Sequence, residues 1–159
     1  MKITTDASHP AKAGFTLTEV VVALAVLGTM AAGAYLGFNT VNNYASTSRL
    51  YSEAQTVAQN QIDLILSKGP FDPKNNKIPT VLTLGTTTTP NVFVYRDSVS
   101  GHAVVTGTMT TTITDPGYTM TFAGATADLN LRRATVTVSY RFRNTDYAVK
   151  MDTLRTADL

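Results

Sequence analysis

The chemistry of this sequence begins with one carboxylate placed in an apolar run. Glu19 stands in "GFTLTEVVVALAVLGTMAAGAYLGF", residues 14 to 38, where every other residue from Phe15 to Phe38 is apolar, Gly, Thr or Tyr. A bare carboxylate in hydrocarbon costs a few kcal/mol, about 2.5 to 3.5 at the bilayer centre and less near an interface. Such a group persists where it is paired. The chemistry expected at Glu19 is therefore ion pairing, which a low dielectric strengthens far beyond its value in water.

The other reactive residue types form no constellation. There is no Cys, so neither a disulfide framework nor a thiolate metal site can form. The two histidines, His9 and His102, lie far apart, and His102 reads as a surface or edge position of a Val-rich strand. No nucleophile elbow, phosphate loop, paired-His metal spacing or EF-type calcium loop is present. The Asp and Asn residues near the C-terminus have spacings that specify no calcium site. No catalytic residue, metal or cofactor is expected. "DLNLRR", residues 128 to 133, pairs two arginines that read as a solvated turn, with a partner's carboxylates or lipid headgroups as the functional alternative. A net charge of +2 makes no basic stripe, so no nucleic-acid partner is expected.

The element that positions Glu19 is a long helix. The run 15–38 at about 1.5 Å per residue reaches roughly 36 Å, enough for a hydrocarbon core of about 30 Å. Lys2 and Lys12 against Asp6 make the short N-terminal flank positive, as on a cytoplasmic side. The alternative is a removed secretory signal cut near "AGA" at 32–34. Against it stand the acid abutting the apolar run and a helical pattern that continues with no Pro to Ser67. From 39 to 68 the residues turn polar, yet Val41, Tyr44, Ala45, Ser48, Tyr51, Ala54, Ala58, Ile62 and Ile65 recur at steps of three and four, an amphipathic stripe. Leu50, Val57 and Leu64 widen it, and Tyr44 and Tyr51 read as packing residues. "KGPFDP" at 68–73 stops the helix: Gly69 is suited to a left-handed C-terminal conformation and Pro70 forbids continuation.

"GFTLTEVVVALAVLG", residues 14 to 28, resembles the prepilin signature of type IV pilins and type II secretion pseudopilins. In that signature a short basic leader ends in Gly, Phe follows, and Glu comes five residues after the cut. The resemblance covers Met1 to about Lys68. It implies cleavage by a membrane-bound prepilin peptidase between Gly14 and Phe15, loss of the leader 1–14, and methylation of the new N-terminus at Phe15. It also implies a role for Glu19 in setting register as a subunit joins a filament. Physics supplies a reason: the cut creates an ammonium on Phe15 at a depth similar to that of Glu19, available to a neighbouring helix. Three departures stand out. Thr18 replaces the usual Leu, Ile or Val, a mild change because its hydroxyl is able to bond back to the helix. The Pro that many type IV pilins carry in the membrane segment is missing, and Gly33 and Gly37 offer similar weakening and a close-approach face. Without Cys, the C-terminal disulfide loop of many adhesive pilins cannot form, which favours a pseudopilin or minor pilin.

Residues 69–159 carry a β composition, rich in Thr, Val and Tyr. After a loop with one short strand at 81–84 and a flexible Thr run, strands are expected at 91–96, 102–106, 109–114, 118–122, 134–143 and 146–154. Turn signals at "SVSG", "DPG" and "FAGATAD" separate them, and the last two strands form a hairpin turning near Asn144 with Val136, Val138, Tyr140 and Phe142 on one face. The fold expected is α+β and pilin-like: a long N-terminal helix, transmembrane then amphipathic, packed on a C-terminal antiparallel sheet. The partners expected are the prepilin peptidase, other pilin or pseudopilin subunits, an inner-membrane assembly platform and membrane lipid. The precursor belongs in the bacterial inner membrane, N-terminus cytoplasmic, and the product in a periplasmic or surface filament. Rival readings are a single-pass membrane-anchored periplasmic binding protein and a DNA-uptake minor pilin, the latter requiring a basic patch.

Overall fold

A computed structural model of the chain describes residues 14–96 and 103–158. The chain divides into two units, Met1–Tyr44 and Ala45–Leu159. One helix, α1, runs Leu17–Ser67, as a stretch without proline allows. In the first unit its large apolar side chains, from Leu17 to Phe38 and on to Val41 and Tyr44, are all exposed. It is long and apolar enough to cross a membrane.

In the second unit α1 buries Leu50, Ala54, Ala58, Ile62 and Ile65. Steps of four, four, four and three keep these on one face. Ala54 and Ala58 are fully buried, and their small side chains let the helix lie close on what it covers. This stripe corrects the expected one. Tyr51, one position round from Leu50, is 45% exposed, and Tyr44 in the first unit is 74% exposed, so neither is buried in the core. Leu64 is exposed as well.

The sheet packed under this half of the helix has strands β1 (Gly85–Arg96), β2 (Ala103–Thr114), β5 (Arg132–Phe142) and β6 (Thr145–Arg155), antiparallel in the order β1-β2-β5-β6. A hairpin of β3 (Thr119–Phe122) and β4 (Ala125–Asp128) stands apart as a two-stranded sheet. Alternation on β5 puts Ala134, Val136, Val138 and Tyr140 into the core, with Ile113, Val94 and Val149 from the other strands and Phe71 and Leu82 from the connection after α1. The α+β arrangement expected from sequence is the one observed.

Register places threonines on the opposite, outer face. Thr86 pairs with Thr112, Thr112 with Thr135 and Thr135 with Asp152, forming one row across four strands. Thr86 and Thr112 hydroxyls are 3.1 Å apart. A β-branched residue with a polar tip suits a solvated strand face, so the Thr-rich composition is the outer half of an ordinary alternation.

Several strand boundaries differ from expectation. The Thr run 86–89 is the first half of β1, not a flexible loop, and the short strand at 81–84 is instead a 3₁₀ turn, Thr80–Leu82, that buries Leu82. The two strands expected at 102–106 and 109–114 are one strand. Inside it, a Cβ on Gly107 would sit 2.5 Å from the Ser139 carbonyl oxygen and 3.1 Å from Val94 Cγ2, so the glycine permits close approach within β2. "FAGATAD" contains β4, reached through Ala123 and Gly124, both at positive φ; Arg143 and Asn144 turn the β5–β6 hairpin in the same way. Pro90 lies beside a register irregularity in edge strand β1, where its missing N–H is harmless. The "SVSG" turn and His102 lie outside the described residues, as does His9.

Candidate functional site

The residues singled out by sequence, Gly14, Phe15 and Glu19, fall within one stretch at the start of α1. Gly14, Phe15 and Thr16 precede the helix and are exposed, Phe15 at 87%. Thr16 and Glu19 then close on each other. Glu19 Oε2 accepts from the Thr16 backbone N–H and from its hydroxyl, each at 3.1 Å, and the Glu19 backbone N–H donates to Thr16 Oγ1 at 3.3 Å. This is a capping box: the two side chains reciprocally satisfy donors that the first turn leaves without an intrahelical acceptor. The carboxylate also sits at the positive end of the helix dipole. The sequence reading gave Glu19 a partner on another molecule and missed this one inside its own chain, although "TLTE" spells the T-x-x-E signature.

Three consequences follow for the chemistry. The carboxylate is held pointing back toward residues 15 and 16, where cleavage after Gly14 would create an ammonium. Both of its bonds use Oε2, so Oε1 has no partner among the described residues. Gly14, after which the cut is expected from sequence, is exposed in irregular backbone ahead of the helix, with nothing within 4 Å of a Cβ built on it.

Farther along this half, two threonine hydroxyls bond back to the helix. Thr29 Oγ1 donates to the Val26 carbonyl at 2.8 Å and Thr40 Oγ1 to that of Leu36 at 2.9 Å, as hydrocarbon surroundings require. Gly28, Gly33 and Gly37 face open space. No contact among the described residues requires glycine there, which leaves room for another helix to approach.

The second unit offers polar architecture rather than a reaction centre. No group of three His, Cys, Asp or Glu suited to a metal occurs among the described residues. Arg132 and Arg133, expected in a solvated turn, open β5. Arg132 is 8% exposed and pairs with Asp115, while Arg133 lies 3.6 Å from Asp152 on the outer face. The N–H of Gly117, aided by Arg132, holds the Asp115 carboxyl below the usual carboxylate range. The Thr135 hydroxyl, then Lys150 and Arg133, do the same for Asp152. Burial raises the Tyr140 phenol, whose neighbours include Tyr147, stacked at 5.4 Å, and Tyr51.

The end of α1 is finished by a residue far away in sequence. Gly69 does not adopt the left-handed conformation expected of it. Instead Arg155 Nη1 from β6 donates to the carbonyls of Ile65, Leu66 and Lys68 at 2.7, 2.7 and 2.6 Å, and Asp158 pairs with the same guanidinium at 3.1 Å. Asp158 also accepts from the Phe71 N–H at 2.8 Å. A cation at the negative end of the helix dipole does what a C-terminal glycine otherwise does.

A family model described as the prokaryotic N-terminal methylation motif matches residues 10–35, the class III signal of type IV pilins and pseudopilins. No curated protein and no solved structure matches the chain. The motif indicates a type IV pilin-like precursor, and its family is structural rather than enzymatic. It implies processing by a prepilin peptidase and assembly with other pilins, and the apolar helix is compatible with membrane anchoring.

Proposed function

We propose that this chain is a structural subunit, a pseudopilin or minor pilin, of a type IV pilus-like or type II secretion filament. It waits in the bacterial inner membrane as a single-pass precursor with its N-terminus cytoplasmic. It is cut between Gly14 and Phe15, methylated on Phe15, and drawn into a bundle of packed N-terminal helices.

The observation that carries this reading is the Thr16–Glu19 capping box at the head of a helix whose apolar side chains the chain itself leaves exposed. An acid that capped a helix for stability alone would need no apolar run behind it, and an anchor alone would need no acid. Together they suit a helix that presents a fixed carboxylate to the cationic N-terminus of a neighbour. Glu19 then favours the one axial offset at which the charges meet, since any other leaves both unpaired in low dielectric.

The test is N-terminal mass spectrometry of the protein isolated from a cell that contains a prepilin peptidase. A mature chain beginning at methylated Phe15 is expected; a chain beginning at Met1 or at Tyr35 overturns the reading. Glu19→Ala is expected to insert in the membrane as the parent does and to enter filaments at a small fraction of the parent level. Equal incorporation overturns the role given to Glu19.

A further inference from the structure

The four-stranded sheet ends in two open edges that differ in how they are guarded. β1 carries Pro90 and register shifts between Thr89 and Val92, Phe93 and Tyr95, and Tyr95 and Arg96, devices that keep an edge from pairing. They leave its first half, residues 85–89, regular and uncharged. β6 has neither proline nor a shift, and pairs with β5 evenly from Thr145 to Arg155. Among the described residues no loop backbone bonds to its free side. The charges along it are matched inside the chain, Asp146 with Arg141 at 3.7 Å and Asp152 with Arg133 and Lys150 at 3.6 and 4.0 Å. The ligand that fits such a row of free N–H and C=O groups is another extended backbone.

Strand parity identifies which one. All three pairings in the sheet are antiparallel, so the first and last of its four strands run in opposite directions. A second copy set beside the first, without being turned over, therefore brings its β1 antiparallel to β6 with the same face inward. A filament is built in this manner, each copy meeting the next through two different surfaces under one repeated operation. Pairing of β6 with another β6 would reverse one chain and close a dimer. Register follows from the outer face, where a second row, Thr88–Thr110–Thr137–Lys150, runs beside Thr86–Thr112–Thr135–Asp152. Continued straight into the next copy, the rows set Thr86 opposite Asp152 and Thr88 opposite Lys150. Each charge then meets a hydroxyl, as Asp152 already meets that of Thr135.

We infer that β6 of one subunit pairs with residues 85–89 of the next copy, continuing the sheet from subunit to subunit. The inference rests on the filament reading proposed above. It adds to the bundle of helices a contact that the second unit makes by itself.

The chain has no cysteine, so an introduced pair reports on this contact alone. Opposed residues of an antiparallel pair have Cα atoms about 4.5–5.5 Å apart, within disulfide reach. Inside one chain Thr88 and Lys150 stand three strand spacings apart, roughly 14 Å, and cannot bridge. The full chain with Thr88→Cys and Lys150→Cys together is made in cells that contain a prepilin peptidase, and their membranes and filaments are oxidised. A ladder of dimers, trimers and longer multimers is expected on a non-reducing gel. Either substitution alone is expected to leave monomers, and Thr88→Cys with Ala148→Cys, one same-face position out of register, to give a much weaker ladder. Should the first pair fail to assemble, Thr86→Cys with Asp152→Cys reads the neighbouring row. Assembled, processed chain without a ladder from either pair overturns the inference alone. A dimer from Lys150→Cys by itself, which would mean that β6 meets β6, or an equal ladder from the Ala148 pair, also overturns it. A chain that still begins at Met1 and gives no ladder overturns the filament reading and the inference with it.

Discussion

Phe38 and Phe71 are the same residue type in opposite surroundings: Phe38 is 73% exposed on the apolar half of α1, and Phe71 is 0% exposed beneath the end of the same helix. The contrast extends to their neighbours. Phe71 belongs to the chain's own core, with Ile65, Leu82, Val136, Val138 and Val149. Around Phe38 the chain supplies no cover, and Val20, Leu24, Leu27, Met30 and Leu36 stand exposed with it. A contiguous apolar surface of this kind marks a site where lipid or another protein completes the burial. The two halves of α1 are thus built for different solvents: one carries its core within the chain, and the other obtains it from outside.

The comparison breaks most readily at the two phenylalanines. Phe71→Ala is expected to lower the stability of the second unit by about 3–5 kcal/mol, the usual cost of emptying a fully buried aromatic site. Phe38→Ala should change it by no more than about 0.5 kcal/mol. Urea unfolding of the full chain in mild detergent, followed by near-ultraviolet circular dichroism from the core tyrosines, distinguishes them. Similar losses would mean that the two halves share one core.

Arg155→Met sharpens the same contrast at the helix terminus. It removes a cation that bonds three carbonyls, and a loss of about 2–3 kcal/mol is expected, with faster amide exchange confined to the end of α1 and the Phe71 N–H. At the other terminus, Thr16→Ala should cost about 1 kcal/mol of local helix stability and speed exchange only near the start of α1.

The smallest effect is the pH dependence of the second unit. Asp115 and Asp152 have carboxyls held below their ordinary value in the fold. Their contribution is therefore present above the unfolded pKa, about 3.9, and is lost as pH falls through the lower folded values. Melting temperature is expected to be level from pH 7 to about 5 and to drop below about 4. Asp115→Asn should flatten part of that drop while costing no more than about 1 kcal/mol at pH 7, as befits a partly exposed pair.

What the sequence disclosed depended on the range of the physics involved. The apolar run, the amphipathic continuation and the β5–β6 hairpin are local patterns, and each was legible. The Thr16–Glu19 cap was equally local and was overlooked because Glu19 posed a question about membranes rather than about helix starts. The Thr run failed for another reason: β1 becomes a strand by pairing with β2, and no property of "TTTT" distinguishes an edge strand from a loop until that partner exists. The strand expected to stop at 106 runs on because Gly107 lies close against Ser139, a fact of β5 about thirty residues on. Arg132 read as solvated because Asp115, its partner, comes seventeen positions earlier in the chain.

The Arg155 clasp also bears on the order in which the molecule is completed. Arg155 and Ile65 are 90 positions apart. At ordinary rates of synthesis of about 5–20 residues per second, the carbonyls at the end of α1 wait roughly 5–20 s for the guanidinium that caps them. During that interval the apolar half has already emerged and can be handed to the insertion machinery, while the half that belongs to the sheet still lacks both strand partners and a finished terminus. On the membrane reading proposed above, anchoring thus precedes folding as a matter of timetable, and the first half of the helix meets its solvent before the second half has met its own.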